Sequence, residues 1–384
     1  MCFKRLVAVF CSVITFFVPG LDLSAAAVLP IEPSHSAKAA VLVDSRGRCL
    51  YAQNAEEKLP MASTTKIMTA LLALENADRS LMVTVHPDSV GVEGSSAYLV
   101  KNEKMKLSDL LYALMLQSAN DAASAIAIAV GGSIDKFVDM MNQKAVDLGL
   151  ESTYFTNPHG LYDTDHYSSA ADMAKIMVEA MQNDSFADIV STKKYTFTSE
   201  NGIERTFVNH NRLLWTLDGC IGGKTGYTQR AGRCLVSATK FGDIIFVAVT
   251  LSDGNDWRDH ATLHNYAKSL YQTRVLADAG VKFGSISIVG GNSNSVTLVS
   301  RKPLEVTIPI GDSVCVVTEC RRFEFAPLSS SSPVGSAVAI SDGVELCRVE
   351  LYPSVDVTAS EIEQKGLLSR FVRWIVSIFD KKGK

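Results

Sequence analysis

Three apolar strand-like runs lie at the two ends of one long helical stretch, and that separation limits the folds open to the chain. At the front, Ala39-Ala40-Val41-Leu42-Val43-Asp44 reaches the turn-prone Ser45-Arg46-Gly47 and a hairpin partner, Cys49-Leu50-Tyr51-Ala52. At the back stand Cys234–Thr239 and Ile244–Leu251. Between them, apolar periodicity predicts helices over Thr64–Leu74, Leu107–Leu116, Asp121–Val130, Ile134–Leu148 and Ala170–Met181. A sheet assembled from both ends of such a unit must carry the helices on its faces, which gives an α/β layered architecture.

The texture changes near residues 273–281. Short alternating segments follow at Val296–Val299, Leu304–Ile310, Val314–Val317, Val334–Ile340 and Val344–Tyr352, broken by Ser329-Ser330-Ser331-Ser332-Pro333. With 384 residues the chain is long for one core, so two units are expected: one over 36–275 and a small all-β domain over 281–356.

Both ends of the chain read differently from this body. Lys4 and Arg5 precede an apolar run from Leu6 to Val18, then Pro19-Gly20 and small residues ending at Ala25-Ala26-Ala27. That is the three-part form of a secretory leader over residues 1–27, so function is expected outside the cytoplasmic membrane. At the other end, residues 361–384 place Leu367, Phe371, Trp374 and Ile378 on one helical stripe, with Arg370, Arg373 and Lys381 opposite. From Lys365 onward the local net charge is +5, although the whole chain carries −4. The stripe is shorter than the ~20 residues a spanning helix requires, and suits a helix lying on an anionic membrane surface. The overall charge balance gives no basis for nucleic-acid binding.

Removing the leader leaves six cysteines: Cys49, Cys220, Cys234, Cys315, Cys320 and Cys347. They are sparse for a protein of this size and are expected to be unpaired and buried. No Cys-x-x-Cys occurs. His159 and His166 flank Asp163 and Asp165, and His260 and His264 share a helix face. The second pair lacks the glutamate of a His-Glu-x-x-His site, because position 261 is Ala. Structural hydrogen bonds are the expected use of these histidines, with no metal and no cofactor.

The chemistry concentrates in three short motifs. In Ala62-Ser63-Thr64-Thr65-Lys66, hydroxyl and amine fall on one helical face three residues apart. Serine is a weak nucleophile until a base takes its proton, and lysine can serve only where burial or nearby cations hold it neutral. Downstream, Gln117-Ser118-Ala119-Asn120 sits between two helices, so Ser118 and Asn120 can point the same way. Gly222-Gly223-Lys224-Thr225-Gly226-Tyr227 leads into the late strands, with glycines that admit a substrate backbone.

Ser-x-x-Lys, Ser-x-Asn and Lys-Thr-Gly in this order are the motif set of penicillin-binding proteins and class A β-lactamases. The chain resembles the low-molecular-mass penicillin-binding proteins, the serine D-alanyl-D-alanine carboxypeptidases. Asn157-Pro158-His159-Gly160-Leu161 and His166-Tyr167-Ser168-Ser169-Ala170 resemble that family's connecting segment, and the β domain and amphipathic tail its layout. The resemblance covers residues 36–384.

It implies a penicilloyl-serine transferase-like catalytic domain, an antiparallel sheet flanked by helices. In that scheme Ser63 attacks the carbonyl between two terminal D-alanines of a peptidoglycan stem peptide. Lys66 is the base, Ser118 relays a proton and Asn120 orients Lys66. Lys224, Thr225 and Arg258 bind the terminal carboxylate, and Gly226 belongs to the same substrate-binding strand. The backbone N–H groups of Ser63 and Tyr227 form the oxyanion hole. β-Lactams would acylate Ser63, and Ser95 and Ser96 are weaker candidates at the rim.

Three rival functions follow from the same residues. A class A β-lactamase needs a Glu-x-x-x-Asn after the second motif, and none lies between 121 and 200. A DD-endopeptidase uses the same fold, and a catalytically inactive wall-binding protein is the non-enzymatic alternative.

Overall fold

The computed structural model describes residues 14–16 and 31–360. The amphipathic tail and nearly all of the leader expected from the sequence lie outside them. The chain divides into two compact units, one ending at Gln272 and the other beginning at Thr273.

The first unit is built on a five-stranded antiparallel sheet made from both ends of its sequence. Its strands are β1 (Ala39–Asp44), β2 (Cys49–Gln53), β3 (Cys220–Thr228), β4 (Gly232–Phe241) and β5 (Ile244–Leu251), in the spatial order β2-β1-β5-β4-β3. β5 is apolar except for Thr250 because both of its faces are covered. Val247, Val249 and Leu251 enter the large core with the helical block, whereas Ile244, Phe246 and Ala248 face the opposite way. Period-two alternation puts every second side chain on each face, so a strand buried on both sides needs a continuous apolar run.

The helices of eight residues or more are α1 (Lys66–Asn76), α2 (Leu107–Leu116), α3 (Asn120–Gly131), α4 (Ile134–Asp147), α5 (Ala170–Ala180), α6 (Asp184–Ser191) and α7 (Asp256–Leu270). α1 to α6 belong to the block on one side of the sheet, and α7 supplies Leu263 and Ala267 to the smaller core on the other. Local side chains set several helix starts. Ser133 accepts from Lys136 N, Ser169 from Asp172 N, and Asn183 from Ser185 N and Phe186 N. α6 is too short to leave a clear periodicity in sequence; its Asn183 cap was the only local sign.

His260 and His264 on α7 meet hydroxyls of the sheet. Ser237 Oγ lies 2.6 Å from His260 Nδ1 and 2.7 Å from His264 Nε2, Thr250 Oγ1 3.0 Å from His260 Nε2, and Thr239 Oγ1 2.9 Å from His264 Nδ1. Burial holds His260 well below the usual imidazole range and His264 at about 3, so both are neutral and their polar atoms are paired inside the core.

The second unit has its own core of residues such as Ile286, Leu298, Val306, Ala339 and Leu351. Its seven-stranded sheet includes Lys282–Val289, Ser295–Ser300, Cys315–Cys320, Gly335–Ser341 and Val344–Pro353. One edge is formed by Ile14–Phe16, antiparallel to Cys315–Cys320. Those three residues fall inside the segment read as a removable leader, so processing there would leave Cys315–Cys320 as the edge strand.

The expectation of uniformly buried thiols is corrected: Cys234 is buried, but Cys49 and Cys315 are exposed. Cys49 starts β2 at the sheet edge, and Cys315 lies in a strand whose outward positions meet solvent. No helix of the described residues is long and apolar enough to cross a membrane.

Arg205 ties the first unit's rim together. Its guanidinium donates to both carboxylate oxygens of Glu103, to Ala97 O at 2.8 Å and to Tyr98 O at 2.8 Å. Burial pushes the Glu103 carboxyl up, but the hydrogen bonds from Arg205 and Val100 outweigh it and leave a net depression. Arg205→Met strands that buried carboxylate and should destabilise the fold by about 3–5 kcal/mol, read from the urea midpoint. Because the folded pKa is depressed, the wild-type contribution is complete above the unfolded value and is lost as pH falls through the folded one. The gap between wild type and variant should therefore close in acid.

Candidate active site

Ser63 occupies a tight 3-10 turn, Ala62–Thr65, that feeds into α1 at Lys66. The sequence predicts ordinary helix from Thr64; the tighter winding matters because side chains at i and i+3 eclipse in a 3-10 turn. Lys66 Nζ accordingly lies 2.9 Å from Ser63 Oγ. Ala62 holds φ +48°, an uncommon conformation for a residue with a Cβ and one that clusters at functional sites.

Two further oxygens complete the surroundings of the amine. Lys66 Nζ donates to Asn120 Oδ1 at 2.7 Å and to the carbonyl of His159 at 2.6 Å. Both are acceptors only, so they take two N–H bonds, and the third direction points at the serine hydroxyl. An ammonium could also donate there. Full burial, the Lys224 charge next to it and, in opposition, Asp121 leave the Lys66 pKa well below its ordinary value. In its neutral form the amine turns its lone pair to Ser63.

Each partner is itself held. Asn120 opens α3, and its amide donates to Glu93 O. Asp121 anchors the rim loop by accepting from Ser96 Oγ, Ala97 N and Leu99 N. Ser96 is thus a structural residue, while Ser95 lines the cleft. The His159 carbonyl is presented by a loop pinned through Thr69 Oγ1 to Pro158 O at 2.6 Å and Gly160 N to Asn157 Oδ1 at 2.7 Å. His166, lowered to about 4 by burial, receives Thr156 N–H on Nδ1 and faces Thr65 Oγ1 through Nε2 at 2.8 Å.

Ser118 and Lys224 form the second polar pair. Lys224 Nζ donates to Ser118 Oγ at 3.0 Å and to Thr225 O at 2.8 Å. Ser118 stands at φ +61°, which turns its side chain from the α2–α3 connection toward β3. Burial pulls Lys224 down to about 7, and burial with the neighbouring Lys224 charge holds Lys66 well below its ordinary value.

β3 is an edge strand, and its glycines bring it close to the nucleophile. A Cβ on Gly226 would stand 3.0 Å from both Ser63 N and Met61 O. Ser63, Ser118, Thr225 and Tyr227 line a cleft of about 750 Å³, with Lys66, Asn120 and Lys224 buried behind it.

Arg258 is not brought into this cleft. It is exposed on α7, about 200° around the helix from Asp256, which faces the cleft with Trp257. The cations lining the cleft are Arg212 and Arg233. Arg233 pairs with Asp256 at 3.3 Å, and Arg212 has no ion-pair partner among the described residues. Sequence reasoning missed both, together with the His159 carbonyl.

Residues 26–255 match the family described as Peptidase_S11: D-alanyl-D-alanine carboxypeptidase, and the chain belongs to that family. It is 32% identical over 356 residues to the D-alanyl-D-alanine carboxypeptidase DacF of Bacillus subtilis, covering 89% of this chain and 90% of the relative. It is 30% identical over 382 residues to DacA of Escherichia coli, covering 93% and 91%. Among solved structures, penicillin binding protein 5 from Haemophilus influenzae aligns with TM-score 0.60 at 30% identity, covering 85% of this chain and 99% of that one. A Streptomyces DD-transpeptidase variant aligns with TM-score 0.60 at 32% identity, covering 62% of this chain and 100% of its own.

Gly160 offers a sharp test of the turn that carries Ser63. It sits at φ +88°, and a Cβ there would come within 1.9 Å of Ala62 O. Gly160→Ala should lower stability by more than ~2 kcal/mol, and an unchanged urea midpoint would show that the loop and turn are not locked together.

Proposed function

We propose that the chain is a serine D-alanyl-D-alanine carboxypeptidase that removes the terminal D-alanine of peptidoglycan stem peptides through an acyl-enzyme on Ser63. The observation that carries this reading is the buried Lys66 amine, 2.9 Å from the Ser63 hydroxyl and held by the Asn120 and His159 carbonyl oxygens, with its pKa well below the ordinary lysine value. Lys66 takes the hydroxyl proton as Oγ attacks the carbonyl carbon between the two D-alanines. Negative charge develops on the carbonyl oxygen, toward which the backbone N–H groups of Ser63 and Tyr227 are assigned as donors.

The proton then reaches the departing amine through Ser118 Oγ, and the C–N bond breaks to release D-alanine. Water attacks the remaining ester with Lys66 again as base, which restores Ser63. The terminal carboxylate is assigned to Lys224, Thr225 and Ser118. Arg212 takes the outer cationic role given to Arg258 on sequence grounds, since Arg212 lines the cleft. The open edge of β3 can take the substrate backbone as an added strand. A penicillin enters the same sequence of steps and stays as the acyl group.

The proposal includes export and attachment to the outer face of the cytoplasmic membrane. Its support is the charge and apolar pattern of residues 1–27 and 361–384.

Incubation with a muropeptide ending in D-Ala-D-Ala should release free D-alanine, and Ser63→Ala should abolish both this release and labelling by a fluorescent penicillin. Persistent labelling of Ser63→Ala would reassign the nucleophile. No D-alanine release by the wild type would exclude the carboxypeptidase.

A further inference from the structure

In the unit that begins at Thr273, the short strand Phe323–Phe325 pairs in parallel with Lys282–Val289 and ends the sheet, so its outer edge is open. It carries large apolar side chains into solvent. Phe323 is 49% exposed, Phe325 64%, and Val289, opposite Phe325, 45%. The two rings lean on each other edge to face at 5.5 Å. Scattered exposed apolar residues need no explanation, but a contiguous group marks a contact surface. Arg321 and Arg322 directly precede the strand and are exposed. Arg321 pairs with Glu324 at 3.1 Å, and Arg322 has no ion-pair partner among the described residues.

The end of the described chain is fastened beside this group. Ser360 N donates to Gly290 O at 2.8 Å, Ala359 bridges Gly291, and Ala326 N donates to Val289 O at 3.0 Å. The described chain therefore ends next to Val289 and Phe325. The tail could fold back onto the cluster or both could face a bilayer, and charge separates the two cases. Residues 361–384 carry a net charge of +3, which becomes +5 from Lys365 onward past Glu361 and Glu363, and Arg321, Arg322 and Glu324 leave the cluster at +1, so the basic part of the tail and the cluster repel. An anionic lipid surface complements both, and aromatic and arginine side chains suit the headgroup level.

We infer that Phe323, Phe325 and Val289, with Arg321 and Arg322, form a second contact with an anionic bilayer surface beside the exit of the amphipathic tail. This rests on the membrane attachment proposed above. Two weak contacts on one molecule reinforce each other, because the first holds the second at high local concentration.

Sedimentation of the purified full chain with phosphatidylglycerol–phosphatidylcholine vesicles tests it. Phe323→Ser/Phe325→Ser should bind about tenfold more weakly, whereas Phe323→Trp/Phe325→Trp should bind as well as wild type. A tail variant, Phe371→Ser/Trp374→Ser, separates the two readings. If only the tail changes weaken binding, the inference falls and tail attachment stands. If only the strand serines weaken it, tail attachment falls and the inference stands. Equal loss with serine and tryptophan would overturn the inference by showing that the edge matters only for folding, and no binding by wild type would overturn both.

Discussion

Lys66 Nζ is held by three oxygens delivered from three separate parts of the chain: Ser63 on the turn before α1, Asn120 at the start of α3, and the carbonyl of His159. An amine placed there loses its hydration and faces a second lysine, so its charge is disfavoured, while the two carbonyl oxygens keep it fully hydrogen-bonded when neutral. The surrounding fold serves to bring these three segments to one point. Replacing the His159 carbonyl by a side chain would not serve as well, because a backbone oxygen cannot titrate.

The sheet makes this convergence possible. β5 is buried on both faces and fixes β1 and β4, which leaves β3 as an edge that reaches Ser63 through Gly226. The helical block then sets Ser118 and Asn120 against it from the other side. Local strain is part of this arrangement: Ala62 and Ser118 both take positive φ next to Ser63 and Lys224. Such conformations persist only where the surroundings over-determine them, and Gly160 packed on Ala62 O is one such surrounding.

Much of this layout is legible in sequence because it depends on periodicity. The run from Ile244 to Leu251 announces a doubly covered strand, the bounds of α2 match the predicted Leu107–Leu116, and the three motifs name the side chains around Ser63. What is hidden has a common cause. The His159 carbonyl and the φ of Ala62 are backbone properties, which residue type does not encode. The role of Arg258 follows from the family resemblance, but its direction depends on the phase of α7, which only the packed helix fixes. Arg212 and Arg233 are ordinary surface arginines until β3, β4 and the 209–212 segment are folded around one cleft. The exposed Phe323–Phe325 edge is equally silent, since residue type does not say which strand ends a sheet.

The neutrality of Lys66 is the claim on which the chemistry stands, and the pH dependence of Ser63 acylation by a penicillin measures it most directly. The rate should climb to its plateau with a midpoint well below the ordinary lysine value of 10.5, as Lys66 loses its proton. A profile in which no group titrates below that value would contradict it.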